Sequence, residues 1–163
     1  MEIEELDFLR ESNNIEDEWD DKSLQDAILA WQYCKRFKKL TPETILMVHG
    51  LLMESRDTIE EKDKGHFRKC AVYIGGHEAK PWYAVPNLVN EWIERVNKSL
   101  RLRDGKEAAT HMFHVQYEAI HPFLDGNGRT GRIFYNWHRQ MLKLPIHTIH
   151  VGKEQYEYYK WFQ

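Results

Sequence analysis

The sequence predicts an all-α, mainly helical domain carrying one small β-hairpin. Apolar residues recur at three- and four-residue spacing in successive stretches along the chain, the signature of amphipathic helices. Only one segment changes period, Cys70-Ala71-Val72-Tyr73-Ile74, followed by a Gly75-Gly76 turn signal. No alternation of strand and helix surrounds these stretches, so a parallel α/β sheet is not expected. A chain of 163 residues fits one domain spanning 1–163, with about 70% of its unfolded surface available for burial.

In order, Glu4 to Glu11 forms a short helical pattern with Leu6 and Leu9 on one side and Phe8 at its edge. Ser12 to Asp17 reads as a loop and capping segment. Ser23 to Lys38 carries a stripe at Leu24, Ala27, Ile28, Trp31 and Cys34. Thr41-Pro42 opens the next helix with a cap and a first-turn proline, and Ile45, Leu46, Val48, Leu51 and Leu52 continue its inner face. His49 on that helix reads as structural. The mixed charges from Arg56 to Lys64 read as a solvated loop. After the Gly-Gly turn, Pro81 to Val85 is expected to resume extended character as the second half of the hairpin. Asn87 to Leu102 returns to helix with Val89, Trp92, Ile93 and Val96 inward. Lys106 to Ile120 follows, with Ala109, Met112, Phe113, Gln116, Tyr117 and Ile120 on its buried side. A last long pattern runs through Ile133, Phe134, Trp137, Met141 and Leu144.

The chemistry concentrates between the last two long helices, in His121-Pro122-Phe123-Leu124-Asp125-Gly126-Asn127-Gly128-Arg129-Thr130-Gly131-Arg132. Pro122 disfavours helical geometry at His121 and ends the preceding helix there. Gly126 and Gly128 permit a tight turn that opens onto a helix N-terminus, where free amides and the positive end of the dipole attract anions. Arg129 and Arg132 lie on one face of the first turn and can grip phosphates with forked hydrogen bonds. Asp125 would repel phosphates unless a hard cation lay between, and Mg²⁺ binds in that way. The run also satisfies G-x-G-x-x-G, but that fingerprint has meaning only after a β-strand, and the residues before it are helical.

Composition excludes several classes. Lys and Arg number 23 against 26 Asp and Glu, a net charge of −3 that leaves no electrostatic footprint for nucleic acid. Cys34 and Cys70 are too few for a disulfide framework and read as reduced core thiols. His111-x-x-His114 and His147-x-x-His150 lack the spacing and companions of a zinc site. No apolar run spans a bilayer, and the acidic start is unlike a signal peptide, so the expectation is a cytoplasmic protein without membrane contact.

The stretch from His121 to Arg132 resembles the signature of the Fic family, His-Pro-Phe-x-Asp/Glu-Gly-Asn-Gly-Arg-x-x-Arg, at every defined position. The resemblance implies a mainly helical Fic fold and protein adenylyltransfer, AMP passing from ATP to a Tyr, Thr or Ser hydroxyl of a target protein. It implies His121 as base, Asp125 on Mg²⁺, and Gly126, Asn127, Gly128, Arg129 and Arg132 around the phosphates. The hairpin corresponds to the family's flap, so Val72, Tyr73 and Ile74 would hold a target segment by added-strand pairing. Gly65-His66-Phe67-Arg68 resembles the approach to that flap. Ser12 and Glu16 match the family's inhibitory Ser/Thr-x-x-x-Glu segment, with Asp17 where Gly or Asn is usual. Carried over, residues 1–20 hold an inhibitory segment and Glu16 pairs with Arg132, barring the γ-phosphate. His114 falls where the family often has a packed histidine. Tyr158 or Tyr159 would stack on adenine, with a plain surface or core role as the equal alternative. The apolar helical pattern still open at Trp161-Phe162-Gln163 implies a truncated C-terminal helix. Two other outcomes stay open: removal of AMP by a Glu16-dependent phosphodiesterase, and a silent nucleotide-binding or toxin module. The target and the oligomeric state are not specified.

Overall fold

The computed structural model describes residues 1–163 and contains seven α-helices and a two-stranded antiparallel sheet. The helices are α1 (Ile3–Ile15), α2 (Asp21–Cys34), α3 (Pro42–Leu52), α4 (Val85–Ser99), α5 (Lys106–Ile120), α6 (Asn127–Met141) and α7 (Lys153–Tyr159). The strands are β1 (Tyr73–Ile74) and β2 (His77–Glu78). The fold is therefore mainly helical with one hairpin, as the hydrophobic periodicity requires.

The first helix runs four residues past Glu11, so the stretch from Ser12 to Ile15 is its last turn and not a loop. Ser12, Asn13 and Ile15 are buried with Phe8 and Leu9, and that inward face carries the polar residues into the helix. Asp17 then takes a left-handed conformation at φ 57°, which aspartate tolerates better than most residues and which Gly or Asn adopts readily. Asp20 caps α2 by accepting from the Ser23 N–H at 2.9 Å, which starts that helix two residues before Ser23. Thr41 caps α3 through the Thr44 N–H at 3.2 Å, with Pro42 in the first turn. Of the two thiols, Cys34 is a core residue but Cys70 is exposed, because the chain approaching the hairpin runs over the surface.

The hairpin differs from the sequence expectation. Gly75 and Gly76 both have positive φ, 54° and 83°, and make a two-residue turn. Such a turn requires pairing at once, so the return strand is His77–Glu78, with Tyr73 opposite Glu78 and Ile74 opposite His77. The Ala79 N–H to Val72 carbonyl bond, 2.9 Å, extends the ladder by one step. Trp82–Ala84 is a 3₁₀ turn, and α4 begins at Val85 with Pro86 in its first turn, where a missing N–H costs nothing.

The main core draws on α1 to α6 and on Phe123 of the loop before α6. Its largest members are Trp31, Trp137, Tyr117, Phe123 and Phe134. Two of the buried indoles keep a partner, Trp92 Nε1 donating to the Phe113 carbonyl at 2.8 Å and Trp137 Nε1 to that of Phe37 at 3.0 Å, while Trp31 Nε1 has none. A smaller cluster of Ile15, Ile149 and Tyr158 ties α7 to the end of α1.

The central element is α6. Every residue from Arg129 to Arg139 is buried, polar ones included. Asn136 exchanges bonds with the His147 backbone at 2.8 and 3.2 Å, His138 meets Ser99 at 2.7 Å, and Arg139 donates to Pro145 at 2.8 Å. These three side chains have traded water for protein partners, which makes burying so polar a stretch tolerable. It stops at Met141, short of the expected Leu144, because Lys143 turns left-handed at φ 64° and Leu144 N–H returns to the Arg139 carbonyl at 2.9 Å. No helix is long and apolar enough to cross a membrane.

Candidate active site

A cavity of about 130 Å³ at the N-terminus of α6 is lined by Glu16, His121, Leu124, Asp125, Gly126, Asn127, Gly128 and Arg129. The loop that shapes it is pinned from inside. Phe123 is fully buried and stacks on His49, with ring centroids 3.7 Å apart. Asn127 spends its side chain on the same loop, Oδ1 accepting from the Phe123 N–H at 2.9 Å and Nδ2 donating to the Phe123 carbonyl at 2.8 Å. Only its backbone N–H is left for an anion, alongside those of Gly128 and Arg129, which begin the helix without intrahelical acceptors.

His121 caps α5 in a left-handed conformation, φ 51° and ψ 64°. Its Nδ1 lies 3.3 Å from the Glu118 carbonyl, so the ring proton belongs on Nδ1 and Nε2 is the free acceptor. Burial lowers its pKa; the Glu118 carbonyl, Glu16 and Asp125 oppose that shift and the Arg68 charge adds to it. An imidazole in this setting is neutral at neutral pH and able to accept a proton.

Asp125 is held on both oxygens. Oδ1 accepts from the Gly126 N–H at 2.7 Å and Oδ2 from the Thr58 hydroxyl at 2.6 Å. Its carbonyl accepts from His49 Nε2 at 2.9 Å, while His49 Nδ1 accepts from the Gly65 N–H at 2.9 Å, which fixes the tautomer. Burial pushes the His49 pKa down to about 4, so this neighbour is neutral. The half-exposed carboxylate is a hard oxygen donor at the lip of a ring of amides, which suits a Mg²⁺ ion shared with phosphate.

The two arginines are treated differently. Arg132 has a partner on every nitrogen: Nε donates to Ser12 Oγ at 2.8 Å, and Nη2 to the Ser12 carbonyl at 2.9 Å and to Glu16 Oε1 at 2.7 Å. Tyr158 OH lies 3.4 Å from Nη1. Burial opposes the charge, but Tyr158 and Glu16 carry its pKa above the ordinary guanidinium value. Arg129 is equally buried, yet its Nε and Nη1 have no hydrogen-bond partner, and its nearest carboxylates, Asp125 and Glu18, stand 3.7 and 4.0 Å away. Such donors call for an anion. Glu16 also closes over Gly128, where a Cβ would lie 2.4 Å from its Oε1.

Other expected residues sit elsewhere. Val72, Tyr73 and Ile74 are on the hairpin, with Tyr73 and Ile74 exposed. His114 is buried, its Nε2 2.8 Å from Tyr158 OH. Tyr158 is enclosed by His114, Trp161 and Phe162, so of the two candidate adenine contacts only Tyr159 presents a free face. Sequence reasoning missed Thr58, Glu18 and Arg56, which clasps Glu18 and forms two bonds of 3.0 Å to Asp20. Nothing local marks these residues, since their partners are distant in sequence.

The sequence pattern of the Fic/DOC family matches residues 39–138. The "protein adenylyltransferase Fic" of Aedes aegypti is 29% identical over 125 residues, covering 76% of this chain and 24% of that protein. That of Drosophila ananassae is 31% identical over 132 residues, with 76% and 24% covered. This chain thus spans about a quarter of the length of these curated relatives. Among solved structures, a Fic domain containing signaling protein from Bacteroides thetaiotaomicron superposes with a TM-score of 0.80 at 17% identity, over 96% of this chain and 69% of that one. Fic-1 from C. elegans gives 0.82 at 19% identity, over 98% and 55%. These likenesses speak for the fold, and together with the matched residues, which contain the whole loop from His121 to Arg132, they show that the chain belongs to the Fic/DOC family.

Proposed function

We propose that the chain, a single domain over residues 1–163, transfers AMP from ATP to a Tyr, Thr or Ser hydroxyl of a target protein, and that its N-terminal segment within residues 1–20 holds this activity off. The observation that carries the reading is the capture of Arg132 by Ser12 and Glu16 at the edge of the cavity that contains His121. The distant relatives named protein adenylyltransferase support a nucleotidyltransferase.

In this mechanism His121 Nε2 takes the proton of the target hydroxyl as its oxygen attacks the α-phosphorus, and the bond to pyrophosphate breaks. The N–H groups of Asn127, Gly128 and Arg129 cradle the phosphates, Arg129 meets the β-phosphate with its unpaired donors, and Arg132 is reserved for the γ-phosphate. Asp125 would hold Mg²⁺, which would neutralise phosphate charge. Val72, Tyr73 and Ile74 offer the hairpin edge to the target, and Tyr159 offers its face to adenine. While Glu16 is in place, Arg132 cannot reach a γ-phosphate, and a carboxylate where that phosphate belongs repels it.

Labelled ATP tests this with the wild type, Glu16→Gly and His121→Ala. Strong labelling, of the protein itself or of a target in extract, is expected only when Glu16 is removed and His121 kept. Equal labelling by wild type and Glu16→Gly sinks the inhibitory role, and labelling by His121→Ala sinks the base. A second reading rests on the presence of Glu16 in the same cavity as His121: there it can orient a water and drive removal of AMP. Glu16-dependent release of AMP from a modified protein would favour that reading. Failure of every variant to label or release AMP would leave a silent nucleotide-binding module.

A further inference from the structure

Arg68 is 2% exposed and forms no ion pair. Its guanidinium is satisfied by four backbone carbonyls in two groups. Nε donates to His121 at 2.6 Å and Nη2 to Ile120 at 3.3 Å, while Nη1 donates to Cys70 at 2.9 Å and Nη2 also to Lys80. Its own N–H donates to the Pro122 carbonyl at 3.0 Å. The first group is the turn that presents the imidazole. The second is the pair of feet on which the hairpin stands, since Cys70 leads into β1 and Lys80 follows β2.

A buried charge without a carboxylate is an expensive way to brace a loop, and an apolar side chain would brace it at lower cost. What the planar fork supplies is a fixed geometry between two elements. One end of that geometry is a residue in a sparsely populated backbone region. His121 is not glycine and sits at φ 51°, a conformation that persists only where its surroundings over-determine it.

We propose that Arg68 is a positioning residue that couples the hairpin to His121, holding the histidine backbone in its left-handed turn and passing displacement of the hairpin feet on to the base. Its link to target docking rests on the proposed reading of the hairpin as the docking edge. The groups facing the imidazole are Arg68 from the hairpin approach, the Glu118 carbonyl from α5, Glu16 after α1 and Asp125 from the loop, so Arg68 is its only cationic neighbour among them.

The test uses the full chain carrying Glu16→Gly, with Arg68→Lys and Arg68→Gln added singly. Arg68→Lys keeps the charge and loses the fork: labelling from ATP should slow by at least about tenfold, the scale on which small misplacements of a reacting group are felt. Binding of ATP, read with a fluorescent analogue, should stay unchanged because Arg68 hydrogen-bonds to none of the residues proposed to hold the phosphates. Arg68→Gln should move the His121 ring titration, followed by NMR, to higher pH, and Arg68→Lys should leave it in place. A separate variant, Ala79→Pro, removes the bond to Val72 at the hairpin base and touches nothing in the loop; it should shift the His121 ring signals when Arg68 is present and leave them still in Arg68→Lys. Labelling by Arg68→Lys at the parent rate, or ring signals indifferent to Ala79→Pro, would overturn the proposal. If Arg68→Gln does not fold, these two arms decide. If the parent itself does not label, the proposed activity falls, while the ring signals still decide the coupling.

Discussion

Two guanidiniums one turn apart on α6 occupy opposite situations. Arg132 is sealed by Ser12 and Glu16 and shares Tyr158, whereas Arg129 leaves Nε and Nη1 unmatched inside the same buried helix. Charges beyond the reach of water normally come paired, so the mismatch at Arg129 marks a place shaped for something the chain does not supply. Satisfaction at Arg132 teaches the converse: its donors are met from within the chain, by Ser12 and Glu16.

Substituting each arginine by methionine, which keeps the stem and removes the charge, breaks the comparison most directly. Arg132→Met should lower unfolding stability by about 2 kcal/mol, since it strands the buried Ser12 groups, while Glu16, over a third exposed, can turn to water. Arg129→Met should cost less than about 1 kcal/mol, because no partner is orphaned. Urea midpoints measure both, and equal losses would erase the distinction.

Acid sharpens it further. Behind each arginine stands a neutral histidine: His114, pushed by burial and then by Arg132 to a pKa of about 3, and His49, pushed by burial to about 4. Both lie below the ordinary histidine value, so the unfolded chain binds more protons and stability falls as pH drops from about 6.5 towards 4. Glu118, raised by burial to about 8, works in the opposite sense, since its folded form holds the proton. His138, pushed by burial to about 4, adds to the histidine side, and the balance is a loss on the order of 4 kcal/mol between pH 6.5 and 4.5. Removing Arg132 should ease the contribution of His114 and flatten the slope, whereas Arg129→Met should leave the His114 share as it is.

The smallest effect isolates the seal. In Gly128→Ala the new methyl group collides with the tip of Glu16, a flexible side chain that can move away, so the loss should be at most about 1 kcal/mol. In a Glu16→Gly background the same change should cost measurably less. Strict additivity of the two would mean that Glu16 does not rest on Gly128.

Much of this was legible in the sequence because the site is contiguous. His121, Asp125, the glycines and both arginines fall within twelve positions, and helix punctuation there is strong. Helices with a single apolar stripe, such as that of Ala27, Trp31 and Cys34, were equally plain. The central helix was not: its sequence reads as amphipathic, and only partners remote in the chain, such as Ser99 for His138 and Glu107 for Arg139, make burial of its polar side possible. The hairpin return was misplaced because β-propensity favoured Trp82 and Tyr83 over His77 and Glu78, whereas turn geometry decided the pairing. The roles of Arg68 and Thr58 depend on the Ile120 and His121 carbonyls and the Asp125 carboxylate, each more than fifty residues away, which no local pattern encodes.

The left-handed turn at Asp17 has a consequence for how fast the seal can open. Because the chain reverses immediately after Glu16, that residue sits at the tip of a corner with its carboxylate over a third exposed, while Ser12 stays locked in the helix behind it. Withdrawal therefore needs only rotation about side-chain bonds, a motion of nanoseconds or less for exposed groups, and no unwinding of α1. On the proposed reading such a latch would set the fraction of time the site is open, and anything that grips the corner would change that fraction without remodelling the fold.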